Sequence, residues 1–177
     1  MKKKITLFNI ALTLIIITIL GLAALLLFVK PSKKGVHRIE MQEDNIAEPK
    51  PVFQKDGELV FLDAKTERKL AKINIEIAGE EAKRIQGLMY RDSMPEKDGM
   101  LFLFANEEPL NFWMKNTRFS LDIIYVNSNR VIVSIAKNTK PYSLDQIPSN
   151  KPALYVVEVN AGYAERHGIK EGDRVQF

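Results

Sequence analysis

The sequence predicts a mainly β (α+β) fold: a small antiparallel β-barrel-like domain with one or two short helices, preceded by a single transmembrane helix. Three observations carry this. An uncharged apolar run fills the N-terminus. Short segments of alternating or continuous apolar residues, divided by Gly, Pro and Asn turns, recur from residue 58 to the end. Several of those segments are apolar on both faces, as strands are when a closed barrel or a covering helix buries them twice.

Ile5 to Val29 form 25 positions without a charge. As a helix the run spans about 37 Å, enough for a hydrocarbon core of about 30 Å. It exceeds the apolar stretch of a cleaved signal peptide and ends in "LLLFVKPSKK" without a small-residue cleavage site. It is expected to remain as an anchor. Lysines flank it on both sides, so the positive-inside count is nearly balanced. A very short tail ahead of the run favours an N-in orientation. The expected organisation is a cytoplasmic tail (1–4), a transmembrane signal anchor (5–29), a linker (30–51) and a globular β-rich domain (52–177). This places the protein in the cytoplasmic membrane as a single-pass chain with its C-terminal domain extracytoplasmic. The linker is polar, holds three prolines and shows no sustained period, as a tether would.

Within the domain, "ELVFL" (58–62) and "AKINIEIA" (71–78) read as strands, the second with Ile73, Ile75 and Ile77 on one face. "EEAKRIQGLMYR" (80–91) reads as a helix with Ala82, Ile85 and Met89 on its apolar side. "GMLFLF" (99–104), "LDIIYV" (121–126), "VIVSIA" (131–136) and "ALYVVEV" (153–159) are further strands, and Asn127-Ser128-Asn129 is a hairpin turn. "AGYAERHG" (161–168) is a short helix stopped at Gly168, and "DRVQF" is a final strand.

The net charge of +4 is unevenly spread. Residues 1–40 hold seven Lys/Arg against one Glu, leaving 19 Lys/Arg against 21 Asp/Glu in the remainder. The domain has no basic excess for phosphate binding, which argues against a nucleic-acid partner. The absence of cysteine removes disulfides, thiol catalysis, thiolate metal sites and lipoprotein anchoring. His37 and His167 are the only histidines and lie in no ligand-spaced motif, so neither metal nor cofactor is expected. No G-x-S-x-G occurs, and "GIKEGD" lacks the spacing of a phosphate loop.

Six blocks resemble a known family: "GLMYR" (87–91), "GMLFLF" (99–104), "FWMKNT" (112–117), "LDIIYV" (121–126), "YVVEVNAG" (155–162) and "GIKEGDRV" (168–175). In order and spacing they look like the successive blocks of domain of unknown function family 192, across roughly residues 72 to 177. The resemblance implies a compact β-rich fold and supplies no activity. Arg130 stands where that family usually has a hairpin glycine, which bears on the turn type.

Chemistry concentrates in "NFWMKNTRFSLDIIYV" (111–126). An extended backbone would put Trp113, Lys115 and Thr117 on one side and Phe112, Met114 and Asn116 on the other. Lys115 then lies beside Trp113, within reach of a cation–π contact of about 0.5–2 kcal/mol. Asp122 and Glu158 interrupt apolar strands and require donors, because a buried unpaired charge is costly. Arg91 and Lys115 are the natural candidates. Two readings follow. In one, these groups pair off and fix strand register, with Trp113 in the core. In the other, Arg91, Trp113, Lys115, Asn116, Asp122 and Glu158 line a cleft for a small polar or saccharide-like ligand. The proline-rich loop 137–152 would be its lid, with Tyr142 as the contact residue. The expected function is accordingly a membrane-anchored binding or accessory domain. Its alternatives are a cell-envelope hydrolase or transferase using Asp122 or Glu158 as acid/base, a pair being able to do such work if both face one cleft, and a protein-interaction module.

Overall fold

The computed structural model describes residues 51–177. The expected cytoplasmic tail, transmembrane anchor and nearly all of the linker lie outside these residues. Among the described residues no helix is long and apolar enough to cross a membrane.

Seven strands form one sheet: β1 (Gly57–Leu62), β2 (Lys69–Ala78), β3 (Asp98–Phe112), β4 (Leu121–Val126), β5 (Ile132–Ala136), β6 (Ile147–Asn160) and β7 (Arg174–Gln176). Two short helices accompany them, α1 (Glu81–Gln86) and α2 (Tyr163–Arg166). The sheet order is β5-β4-β6-β3-β2-β1-β7. Its ends nearly meet. Val131 bridges Arg174, and the Ile132 N–H donates to the Asp173 carbonyl at 2.8 Å. A nearly closed, barrel-like sheet results, as the doubly apolar strands predicted. All strand pairs are antiparallel except β2–β3, which is parallel. Parallel neighbours need a crossover of a dozen or more residues. Here residues 79–97 supply it, and they carry α1 across the outer face of the sheet.

Two apolar clusters follow from strand alternation. The inner one holds Leu59, Phe61, Ile73, Ile75, Leu101, Ile124 and Val157. The outer one holds Met100, Phe102, Ile123, Tyr125 and Val156, with Leu88 and Met94 of the crossover laid over them. Strand β4 is buried at all six positions because both clusters claim it.

Several boundaries differ from expectation. The helix expected over 80–91 covers only Glu81–Gln86, and Ala82 and Ile85 are exposed rather than packed. Gly87, at φ +48°, turns the chain out of the helix so that Leu88 is buried instead. Strand β3 continues beyond Phe104 to Phe112, and β6 begins at Ile147, six residues earlier than its apolar run. These extensions pair with each other across irregular register, Asn111 opposite Pro148 and Phe112 opposite Ile147. The proposed lid over 137–152 is therefore only the segment 137–146. In the β4–β5 turn the left-handed residue is Arg130, at φ +60°, not an asparagine. Arg130 is the position noted above as departing from glycine.

Candidate functional site

Glu76, Met100, Glu158 and Ile123 sit side by side on β2, β3, β6 and β4, in direct register. With about 4.8 Å per strand, the two glutamates stand roughly 10 Å apart on the outer face. Arg91, from the crossover, lies over this row. Its Nη2 donates to both carboxylate oxygens of Glu76, at 3.0 and 2.9 Å, and the residue is only 6% exposed. Its Nε is buried without a hydrogen-bond partner. Asn160, two residues beyond Glu158, donates its amide to the Met94 carbonyl at 2.8 Å and pins the crossover in place.

Glu158 is 4% exposed, and among the described residues its carboxyl makes neither hydrogen bond nor ion pair. Burial pushes its pKa up to about 8, against the lowering pull of Arg91. Tyr125, one strand away, has its hydroxyl raised by burial and by Glu158, and donates it to the Ile147 carbonyl. Gly99 makes the strand spacing beside Glu158 achievable. A Cβ there would fall 2.8 Å from the Glu158 carbonyl oxygen and 2.7 Å from Ile73.

The Glu158 carboxyl reaches a cavity of about 480 Å³ between the outer face and the crossover. Phe102, Phe104, Phe112 and Trp113 supply its aromatic wall, Leu88 and Met89 its aliphatic one. Phe112 meets Phe102 edge-on at 5.0 Å and Phe104 at 6.2 Å. Gly87 also lines the cavity, where a Cβ would press on Phe102 at 3.3 Å. Arg84 stacks its guanidinium over Phe104 at 5.5 Å and bonds the Gly79 and Leu103 carbonyls. Thr117 adds a buried hydroxyl to the wall.

The residues singled out from sequence separate into three groups. Trp113 and Glu158 line the cavity, and Arg91 lies against Glu158. Lys115, Asn116 and Tyr142 stand on the neighbouring surface. Strand β3 ends at Phe112, so the expected alternation fails beyond it: Met114 and Thr117 are buried while Trp113 and Lys115 are exposed. Lys115 lies over Trp113 at 4.9 Å, as the sequence suggested, and pairs with neither carboxylate. Asn116, at φ +54°, donates to the Tyr90 hydroxyl at 2.7 Å. Tyr142, at φ +60° and 59% exposed, donates its N–H to the Thr117 carbonyl and stays outside the cavity.

Asp122 belongs elsewhere. Its neighbours in register put it on the inner face, opposite in sense to Glu158. It is fully buried and accepts hydrogen bonds from the backbone N–H groups of Asn138 (2.9 Å) and Ala164 (3.0 Å). Among the described residues no cation pairs with it, because backbone donors at the end of the barrel satisfy it. Asp122 and Glu158 therefore do not share a cleft.

Neither Glu76 nor the phenylalanine wall was singled out from the sequence. The signal was present: alternation in "GMLFLF" places Met100, Phe102 and Phe104 on one face. Among the described residues no cluster of His, Asp and Glu is placed to hold a metal ion.

A nearly closed, barrel-like β-sheet whose parallel crossover lies over an aromatic cavity, with a buried glutamate that has no hydrogen-bond partner among the described residues, defines the structural class. The chain belongs to the DUF192 family ("Uncharacterized ACR"), whose match spans residues 62–177. The UPF0127 protein PF1050 of Pyrococcus furiosus is 29% identical over 114 residues, covering 63% of this chain and 93% of that protein. Two crystal structures are similar. One is a Sinorhizobium meliloti 1021 protein described as a candidate transcription regulator: 37% identical, TM-score 0.65, covering 71% of this chain and 97% of the other. The other is a protein of unknown function from Novosphingobium aromaticivorans DSM 12444: 36% identical, TM-score 0.64, covering 68% and 84%.

Proposed function

We propose that this protein is a membrane-tethered, extracytoplasmic binder of a small molecule, held in the cavity over Glu158. The observation that carries the reading is a buried carboxyl with no hydrogen-bond partner among the described residues, opening onto a cavity of ligand size. Buried polar groups normally have hydrogen-bond partners, so one without marks a place where a ligand or water supplies the missing donor. The aromatic wall supports a ligand with an apolar body. The tether rests on the uncharged run Ile5–Val29.

Acid–base chemistry divided between Asp122 and Glu158 finds no support, since they face opposite sides of the sheet. Glu158 acting alone is a second reading, favoured by a pKa near neutrality, where a general acid works best. A nucleic-acid partner, of the kind the description of the Sinorhizobium protein suggests, finds no support in the charge of this domain. Residues 51–177 hold 18 Lys/Arg and 18 Asp/Glu, with no excess to attract phosphate.

Native mass spectrometry of the full-length chain, extracted from its own membrane in a neutral detergent, tests the proposal. A retained small molecule is expected, absent from Glu158→Gln and Phe112→Ala. Wild type carrying none, or both variants carrying the same molecule, overturns it.

A further inference from the structure

We infer that the cavity over Glu158 takes an organic ammonium group: a protonated amine whose apolar body lies against the phenylalanine wall. This rests on the binding proposal above and names its ligand class.

Glu158 lacks a hydrogen-bond donor among the described residues. Arg91 is the nearby cation, yet its Nη2 is committed to Glu76, and it is not part of the cavity wall. Lys115 is occupied over Trp113 outside. Arg91 acts on the Glu158 carboxyl through its charge, but among the described residues neither cation hydrogen-bonds it. The unmet need at the cavity floor is therefore a donor, and a positive one would best stabilise the carboxylate in a desolvated place.

The walls point the same way. Aromatic faces attract cations through the ring quadrupole. Two rings of this wall already do so, Phe104 with Arg84 at 5.5 Å and Trp113 with Lys115 at 4.9 Å. The charged groups facing Glu158 and the cavity are Arg91 from the crossover, Glu76 from β2, and Glu81 and Arg84 from α1; Tyr125 faces it from β4. Arg91 offsets Glu76, and Arg84 is held by two carbonyls beside Glu81. An ionised Glu158 leaves this set one charge negative. An anionic ligand would add to that excess, and a cationic one removes it.

Proton linkage gives the inference a distinctive readout. With a pKa of about 8, Glu158 is mostly protonated at pH 7. Binding an ammonium ion requires the carboxylate, so the proton must leave to solvent. The test is calorimetric titration of the full-length chain in nanodiscs, in two buffers of different ionisation enthalpy. The probes are phenethylamine, phenethyl alcohol and phenylacetate. Phenethylamine is expected to bind best and to release about 0.9 proton per site at pH 7. Its apparent affinity should weaken roughly 50-fold from pH 8 to pH 6, as the competent fraction falls. Glu158→Gln should abolish both effects, and the wild-type proton release stands by itself should that variant fold poorly. Alcohol binding as tightly as amine, or amine binding without proton release, overturns the ammonium assignment and leaves the cavity-binding proposal intact. No saturable binding by any probe also overturns the assignment. Joined to an empty mass spectrum, it removes the binding proposal as well.

Discussion

Asp122 and Glu158 stand on adjacent strands, both buried, on opposite faces of one sheet. Asp122, on the inner face, is held by two backbone N–H groups. Glu158, on the outer face, has no such donors among the described residues. The difference lies in what covers each face. The inner face ends against loop 137–139 and α2, where free backbone N–H groups converge. The outer face is roofed by a crossover that presents Leu88 and Met94 beside the phenylalanine rings of β3, and its Arg91 is committed to Glu76. Backbone donors make one carboxylate part of the barrel, and apolar cover leaves the other available to a ligand.

Glu158→Gln breaks this comparison most sharply. A carboxyl whose folded pKa is raised stabilises the fold fully below its unfolded value, near 4.5, and that stability is lost as pH rises through about 8. For wild type the loss attributable to Glu158 is on the order of 4 kcal/mol by pH 8. The glutamine variant should lack it, so urea midpoints of the two proteins should diverge steadily from pH 5 to pH 8, with the variant ahead. Parallel profiles would show that Glu158 has a partner at the cavity floor.

Asp122→Ala tests the other face, and the sign reverses. Removing the carboxylate orphans two N–H groups in a dry place, at a cost of roughly 3 kcal/mol. The variant should be less stable at every pH from 6 to 9. A change below about 1 kcal/mol would mean that water replaces the carboxylate and that the inner site is not sealed.

Arg91 links the outer row. Arg91→Met leaves the Glu76 carboxylate, 14% exposed, without its cation and should cost about 2 kcal/mol. A second change, Glu76→Gln, should recover most of that loss by denaturant unfolding. The Arg91 variant should also move the Glu158 titration upward, because the influence that lowers it has gone. An unmoved titration would separate Arg91 from the site.

How much of this was legible in the sequence follows from range. Alternating and continuous apolar runs are local properties, and they located all seven strands and the inner face of β2. Pairing is not local. The proline-bearing stretch 147–152 reads as loop, because Pro148 and Pro152 each remove a ladder donor. The structure tolerates them opposite Asn111 and Pro109, where register is irregular. The helix over 80–91 fails because Gly87, at φ +48°, turns the chain out of the helix, which buries Leu88 and leaves Ile85 exposed. The site divides in the same way. That Asp122 and Glu158 needed donors was readable from each strand alone. That one would find backbone donors and the other none depended on which face each residue took, and that register emerges only from pairing β4 with β6.

The smallest effect concerns the rim of the cavity, where Trp113 is 46% exposed under Lys115. Cation–π pairs in solvent contribute about 0.5–1 kcal/mol, so Lys115→Ala should leave the unfolding midpoint within roughly that range. The chain has a single tryptophan, so its fluorescence reports this position alone. Removing the ammonium from over the ring should change the emission while the fold persists. Added phenethylamine should change it again if the cavity beside Trp113 fills, in the Lys115 variant as in wild type. Loss of the response in Lys115→Ala, with stability unchanged, would move Lys115 from the neighbouring surface into the site.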